Sequence, residues 1–185
     1  ASYGASGVNL ADTTTVTVQQ ARLALLSGSA QSGTVRAVLG APLVVQLVDG
    51  VGTALRDSGV TVIFGVASGG GHFGGATDTL RTADTVRTDA QGQARTSATL
   101  GKLAGANAFS AGGTGLAGSA VAFAATGTPA PAYRIRADSG GGQSDTVAAT
   151  LAHAFGITVV DQYGNAVSGQ SVTFQVKNQS SRKWA

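Results

Sequence analysis

The sequence contains no cysteine and no methionine, and all nine of its acidic residues are aspartate. The absence of cysteine excludes disulfides, thiolate metal sites and a cysteine nucleophile, so stability must come from packing. Glutamate and lysine are good helix formers, but the chain has no glutamate and only three lysines. Its many valines and threonines favour strands. We therefore expect an all-β protein with almost no helix.

Aromatic residues make up 5% of the chain and charged residues 11%, whereas glycine occurs 28 times. This composition predicts short strands, frequent turns and a core of valine, alanine, leucine and a few phenylalanines. No apolar run reaches the ~18 residues that span a bilayer, so no membrane insertion is expected. The net charge is +3, but the basic residues are scattered and no aromatic ladder accompanies them. No nucleic-acid partner is therefore expected.

An internal repeat is the most informative pattern in the chain. Residues 27–49 and 139–161 align without a gap, so that Asp49 matches Asp161. The match continues beyond these aspartates, through a loop that is longer in the first copy, into a further strand-like run. An insertion at that point marks the loop as a surface connection. The sequence therefore predicts two copies of one structural unit.

Each copy contains runs in which apolar and polar residues alternate, as in half-buried strands. About seven such runs, one of them at residues 94–100, fall in residues 21–126, which is typical of a sandwich of two facing antiparallel sheets. The segment Pro129-Ala-Pro131 interrupts the pattern, because proline has no amide hydrogen for a strand ladder. We therefore predict a complete sandwich at residues 21–128 and a partial one at residues 132–185, with an atypical tail from residue 177.

The motifs of both copies resemble bacterial immunoglobulin-like domains of the invasin/intimin type. An aspartate that ends a strand and a following Gly-Asn pair are interpreted as turn chemistry, because Asp binds nearby amides and Gly-Asn tolerates positive φ. In the first copy, Gly52-Thr53 replaces Gly-Asn. The motifs that carry the resemblance are Thr158-Val-Val-Asp161, Gly164-Asn165, Val172-Thr-Phe174, Thr88-Asp89, Gly92-Gln-Ala94 and Gly105-Ala-Asn107.

The resemblance implies tandem immunoglobulin-like β-sandwiches in a bacterial protein that is secreted or at the cell surface. It implies a non-catalytic structural or adhesive module, acting as a spacer or stalk, whose partners are other immunoglobulin-like domains of the same protein. One alternative is a module that binds carbohydrate or a host cell surface. A more remote alternative is a hydrolase with a non-standard site built on a serine, His153 and Asp161.

No catalytic, cofactor-binding or metal-binding residue is predicted. The Gly-rich segment at residues 69–75 lacks the Gly-Lys-Ser/Thr of a phosphate loop and is interpreted as a flexible hairpin connection. His72 and His153 are interpreted as surface histidines, since no ligand cluster accompanies them. Asp138 and Asp145 lack the spacing of a calcium cage. Ser180-Ser-Arg-Lys183 matches Ser-x-x-Lys without the other motifs of that enzyme class.

The two ends of the chain predict an assembly. Residues 1–20 contain the run TTTVTV at residues 13–18, which resembles the closing strand of a preceding domain. The partial sandwich is expected to expose an apolar inner face, which needs a cover. We therefore predict that the N-terminal segment covers this face by strand exchange, within one chain or in a homo-oligomer. The residues of that face are Ile157, Val159, Val172, Phe174 and Val176.

Overall fold

The computed structural model describes residues 20–74 and 81–176. All regular secondary-structure elements within these residues are β-strands. In this part of the chain, no helix is long and apolar enough to cross a membrane. The first copy of the repeat (residues 21–128) contains β1 (Arg22–Ser27), β2 (Gln31–Thr34), β3 (Leu43–Val48), β4 (Thr61–Ser68), β5 (His72–Phe73), β6 (Ala83–Arg87), β7 (Gln93–Thr96), β8 (Ala98–Thr99), β9 (Gly105–Gly112) and β10 (Val121–Thr128). The second copy (residues 132–185) contains β11 (Arg134–Ser139) and β12 (Gly156–Val160).

Two sheets form the sandwich of the first copy. One has the order β1-β3-β7 and the other the order β2-β10-β9-β4-β6. The strand pairs are antiparallel, except that β2 runs parallel to β10. A bulge at the end of β1 and a glycine with positive φ at Gly28 let the chain pass from the first sheet to the second. The prediction of an all-β fold with a sandwich of mainly antiparallel sheets is confirmed.

The core lies between the two sheets and contains four phenylalanines. Phe64, Phe73, Phe109 and Phe123 are at most 1% exposed. Their rings contact one another at centroid distances of 5.8 to 6.4 Å, a range in which tilted aromatic pairs are favourable. Alternation along β10 places every second residue in this core. A few large side chains therefore compensate for the low aromatic content.

The strand pattern differs from the prediction in three places. The run predicted as one strand at residues 94–100 is divided between β7 and β8, which belong to different sheets. The polar strand β6 was not predicted, because its exposed outer face lacks apolar residues. Residues 171–176 form no strand, although they match the start of β4. No described strand lies beside them to supply the ladder hydrogen bonds that hold β4.

The second copy reproduces the pairing of β1 with β3, although the residues that match β2 form no strand there. β11 pairs with β12 and has a bulge before Ser139, as β1 has before Ser27. The Gln31 amide bridges Gly28 and Ala41 in the first copy through hydrogen bonds to main-chain groups. The matching Gln143 amide bridges Gly140 and His153 in the same way. The repeat is thus structural, and extends to individual side-chain contacts.

The inner face of the second copy is only partly exposed. Phe174 is 59% exposed and Val176 91% exposed, whereas Phe64, the counterpart of Phe174, is fully buried. The predicted exposure is therefore found for these two residues, but Ile157, Val159 and Val172 are half-buried. The segment predicted to cover it, at residues 13–18, lies outside the described residues. Strand exchange and the homo-oligomer remain predictions.

Candidate functional site

The turn that follows β12 is built around one carboxylate. We call residues 161–165 the junction turn. Asp161 Oδ1 accepts hydrogen bonds from the N–H groups of Tyr163 and Asn165, both at 2.8 Å. The main chain closes through Asp161 N–H to Asn165 O at 2.9 Å. Gly164 has a φ of 90°, which a side chain would disfavour. The predicted turn chemistry of the Asp and Gly-Asn residues is therefore present.

The first copy has the same turn at residues 49–53, which we call the upstream turn. Asp49 Oδ1 accepts from the N–H groups of Val51 at 3.0 Å and Thr53 at 2.7 Å. Asp49 N–H donates to Thr53 O at 2.9 Å, and Gly52 has a φ of 98°. The extra residues of the first copy thus lie after this turn and leave it unchanged.

The junction turn also contacts the first copy, through the other side-chain atoms of Asp161 and Asn165. The Ala130 N–H, just beyond β10, donates to Asp161 Oδ2 at 2.9 Å. The Asn165 carboxamide accepts from Ala104 N–H and donates to Lys102 O, both at 2.8 Å. Asn165 Nδ2 also donates to Asp161 Oδ2 at 2.8 Å, which joins the two contacts. A single turn therefore fixes the second copy to one loop of the first copy and to the linker between them.

The two side chains at the centre of this contact are buried. Asp161 is 0% exposed and Asn165 is 9% exposed. Desolvation by burial acts to raise the pKa of Asp161, but hydrogen bonds from the Asn165 side chain and from the N–H groups of Ala130, Asn165 and Tyr163 lower that pKa to about 2. The carboxylate is therefore charged at neutral pH, and among the described residues its hydrogen-bond partners are uncharged donors.

A cleft of about 820 Å³ lies beside the junction turn. Its wall includes the cationic residues Arg36 and Lys102, the apolar Leu103 and the aromatic Tyr163. No acidic side chain is among the described residues that line it. A cleft with this lining is suited to a ligand that has a flat apolar surface and a negative charge.

The two histidines lie in different surroundings, and one of them was wrongly predicted. His72 is in β5 and is fully buried, so its interpretation as a surface histidine is wrong. β5 pairs with β8 within the core region, and the adjacent Phe73 anchors it there. His153 is exposed, as predicted, and its main chain is held by Gln143.

The Gly-rich segment before His72 is close-packed and not a flexible hairpin. A Cβ on Gly71 would lie 2.7 Å from Thr99 O and 2.8 Å from the Phe109 ring. A Cβ on Gly69 would lie 2.7 Å from Ala106 O. The glycines let the chain pass directly over the second sheet, so their role is packing. Residues 75–80, which follow, lie outside the described residues.

The remaining candidate residues form no assembled site in the described ranges. Asp161 accepts from Ala130, Tyr163 and Asn165, and no hydrogen bond joins it to His153 as a hydrolase triad requires. Asp138 accepts from Arg136 and Thr158, within the β11–β12 hairpin. Residues 20–74 and 81–176 contain no group of three or more His, Cys, Asp or Glu that could hold a metal ion. The Ser-x-x-Lys match at residues 180–183 lies outside these ranges.

Sequence reasoning missed the contact between the copies. Asp161 and Asn165 were correctly predicted to form a turn. The hydrogen bonds that Asp161 Oδ2 and the Asn165 carboxamide make outside that turn were not predicted. One signal was available: Asn165 stands where the turn of the first copy, which shares its Asp and Gly, has Thr53. Lys102 and Ala104 carried no signal, because they contribute only main-chain groups.

No family model and no curated protein matches the chain. Among solved structures, it is similar to a beta-glucuronidase from Parabacteroides merdae, with 17% identity over 60% of this chain and 12% of that one and a TM-score of 0.38. It is similar to a glycosyl hydrolase family 2 member from Bacteroides cellulosilyticus, with 14% identity over 58% of this chain and 14% of that one and a TM-score of 0.38. It is also similar to domains 4–9 of the surface layer protein SbsC, with 13% identity over 85% of this chain and 24% of that one and a TM-score of 0.36. The chain spans 12% to 24% of the length of these three proteins, and at these TM-scores the likenesses carry no argument about fold or function.

Proposed function

We propose that this chain is a non-catalytic spacer or stalk module of a bacterial protein that is secreted or at the cell surface. The observation that carries the proposal is the junction turn, whose buried Asp161 and Asn165 side chains each make hydrogen bonds outside the turn, Asp161 with the linker and Asn165 with the first copy. Buried polar groups that are fully hydrogen-bonded specify one arrangement in preference to others. A repeat protein with such junctions projects whatever is attached to it in a defined direction.

The segment between the copies supports the same function. Residues 129–131 connect β10 to the start of the second copy, and two of these three residues are proline. Proline fixes φ and favours an extended chain, so this connection is short and stiff. The Ala130 N–H in the middle of the segment donates to Asp161, which anchors the connection itself. Rotation between the copies is therefore opposed by both the linker and the turn.

The experiment that tests this proposal measures whether the two copies tumble together. Backbone ¹⁵N relaxation should give one rotational correlation time for amides of β9–β10 and β11–β12. Asn165→Ala should make the second copy move independently, whereas Thr53→Ala, the same truncation in the upstream turn, should not. If the wild-type copies already tumble independently, the rigid spacer is refuted.

The cleft beside the junction turn supports a second candidate function, the binding of an acidic carbohydrate at a cell surface. Tyr163 offers an aromatic face, and Arg36 and Lys102 offer cationic groups for a sugar carboxylate. Binding to an array of acidic and neutral glycans tests this function. Tyr163→Ala removes the aromatic face and Lys102→Ala removes a cationic group, so each change should abolish retention of acidic glycans. Neither change removes a main-chain group of the junction, so the docking of the two copies should be unaffected. Retention that is absent in the wild type, or unaffected by both changes, would eliminate this candidate.

A further inference from the structure

The cleft beside the junction turn is shared between the two copies. Its volume of about 820 Å³ lies within the range that is typical of ligand sites. Among the described residues that line it, Tyr163 belongs to the second copy and the others belong to the first. The complete wall of the cleft therefore exists only while the two copies are docked.

The wall on the side of the first copy is held by contacts within that copy. Arg36 N–H donates to Gly101 O at 3.1 Å, which ties the segment after β2 to the loop after β8. Gly101 N–H in turn donates to the buried Asn107 Oδ1 at 3.0 Å. Neither contact involves the second copy. This part of the wall, with its cations Arg36 and Lys102, should therefore persist when the second copy undocks.

The cation at position 36 is not required by the local backbone. Arg36 has a φ of 68°, and Ala148, which matches it in the repeat, has a φ of 69°. A positive φ is disfavoured for residues that have a side chain, but both copies adopt it, so it belongs to the repeat and not to arginine. None of the ion pairs among the described residues involves Arg36 or Lys102. Both cations are therefore available to a ligand.

The aromatic part of the wall depends on the junction. Tyr163 is 36% exposed, and its N–H donates within the junction turn. The matching residue of the upstream turn is Val51, so the aromatic ring is specific to the junction turn. Asn165 of the same turn bonds to Ala104 and Lys102, which also line the cleft. One turn and one loop therefore contribute both to docking and to the cleft.

We propose that an acidic oligosaccharide in this cleft locks the two copies together, with its carboxylates held by Arg36 and Lys102 and a sugar ring against Tyr163. This inference rests on the proposed function, because it uses the glycan cleft to regulate the junction of the spacer. A ligand that contacts both copies binds the docked arrangement more tightly and shifts the equilibrium toward it. By linkage, docking raises the affinity for the ligand by the same factor. The module is therefore stiffer with the oligosaccharide bound than without it.

Amide hydrogen exchange at Ala130 of the full chain, followed by NMR, tests the proposal. The Ala130 N–H donates to Asp161 at the junction, and Ala130 is not among the residues that line the cleft, so its exchange reports docking and not contact with the ligand. The probe is a tetrasaccharide of alternating glucuronate and N-acetylglucosamine, whose dissociation constant is measured by calorimetry. At a free concentration of about ten times that constant, exchange at Ala130 should slow about tenfold, because a ligand that binds only the docked state stabilises it by this factor.

Two controls accompany this measurement. A neutral tetrasaccharide of N-acetylglucosamine should leave the exchange of Ala130 unchanged, because it offers no carboxylate to the two cations. Arg36→Ala should weaken the binding of the acidic tetrasaccharide and reduce the slowing at equal ligand concentration. Alanine already occupies the matching position in the second copy with the same backbone conformation, so this variant should keep the local fold.

The possible outcomes separate this inference from the proposals on which it rests. If the acidic tetrasaccharide binds but exchange at Ala130 does not slow, the locking is refuted while the spacer and the glycan site survive. If the tetrasaccharide does not bind, the glycan site fails and the locking fails with it. If Ala130 is unprotected in the ligand-free protein, the rigid spacer fails; protection that then appears with the acidic tetrasaccharide supports the locking, and its absence refutes it.

Discussion

Asn165→Ala is the substitution that most directly tests how the two repeats are joined. The Asn165 carboxamide makes two hydrogen bonds to the first copy, with Ala104 N–H and Lys102 O. At about 0.5–1.5 kcal/mol net for each bond, the docked state should lose about 1–3 kcal/mol. Ala104 and Lys102 are exposed residues, so water replaces these lost partners, but the buried Asp161 carboxylate also loses the hydrogen bond from Asn165 Nδ2. The loss should therefore lie toward the upper end of this range. The loss corresponds to a roughly 5- to 150-fold shift toward the undocked state.

The assay is amide hydrogen exchange at Ala104, because its N–H donates to Asn165 Oδ1. Exchange there should accelerate by the same factor, while amides inside β9 keep their wild-type rates. Thr53→Ala is the matched control, since it removes a side chain from the equivalent position of the upstream turn, far from Ala104. An Ala104 amide that exchanges equally fast in the wild type and in Asn165→Ala would refute the reasoning.

Three further predictions concern the core, the glycines and the pH dependence of the junction. Phe64→Ala should lower the free energy of unfolding by about 3–5 kcal/mol, because it opens a cavity in the core. Phe174→Ala, at the equivalent but 59% exposed position, should change that free energy far less. Denaturant titration measures both effects. Gly71→Ala should lower the free energy of unfolding by about 1–3 kcal/mol through overpacking. Gly40→Ala, where an added Cβ has nothing within 4 Å, should leave that free energy nearly unchanged in the same titration. Equal effects of the two substitutions would contradict the close packing at Gly71. The pKa of Asp161 is lowered from 3.8 to about 2 in the folded protein, so its contribution to docking should be fully present above pH 3.8 and should be lost as the pH falls through about 2. The NMR chemical shift of the Ala130 amide should titrate with that midpoint in the wild type. In Asp161→Asn the same chemical shift should not change over this pH range.

Most of the sandwich could be predicted from the sequence, because strand alternation and turn residues are local properties. The alternation in β10 and the turn glycines follow from residue types alone. The repeat also carried real structural information, since Gln31 and Gln143 make equivalent contacts. These features depend on the nearest residues in the chain, which the sequence displays directly.

The features that escaped prediction depend on contacts between distant segments. The burial of His72 follows from its pairing with Thr99, which a local pattern cannot reveal. The tight packing of Gly71 likewise depends on the Phe109 ring. Asp161 was correctly assigned to a turn, but one of its oxygens acts within that turn and the other outside it. Only the folded chain shows where the second oxygen points.

The position of the junction turn beside a short linker also has a mechanical consequence. If the ends of the chain are pulled apart, the load meets a few side-chain hydrogen bonds at Asp161 and Asn165 before it meets the continuous ladders of the sheets. Rupture there frees only residues 129–131, each of which extends by at most about 3.3–3.6 Å. A series of such repeats would therefore lengthen in small steps under tension. At each step a junction would open while the sandwiches remain folded.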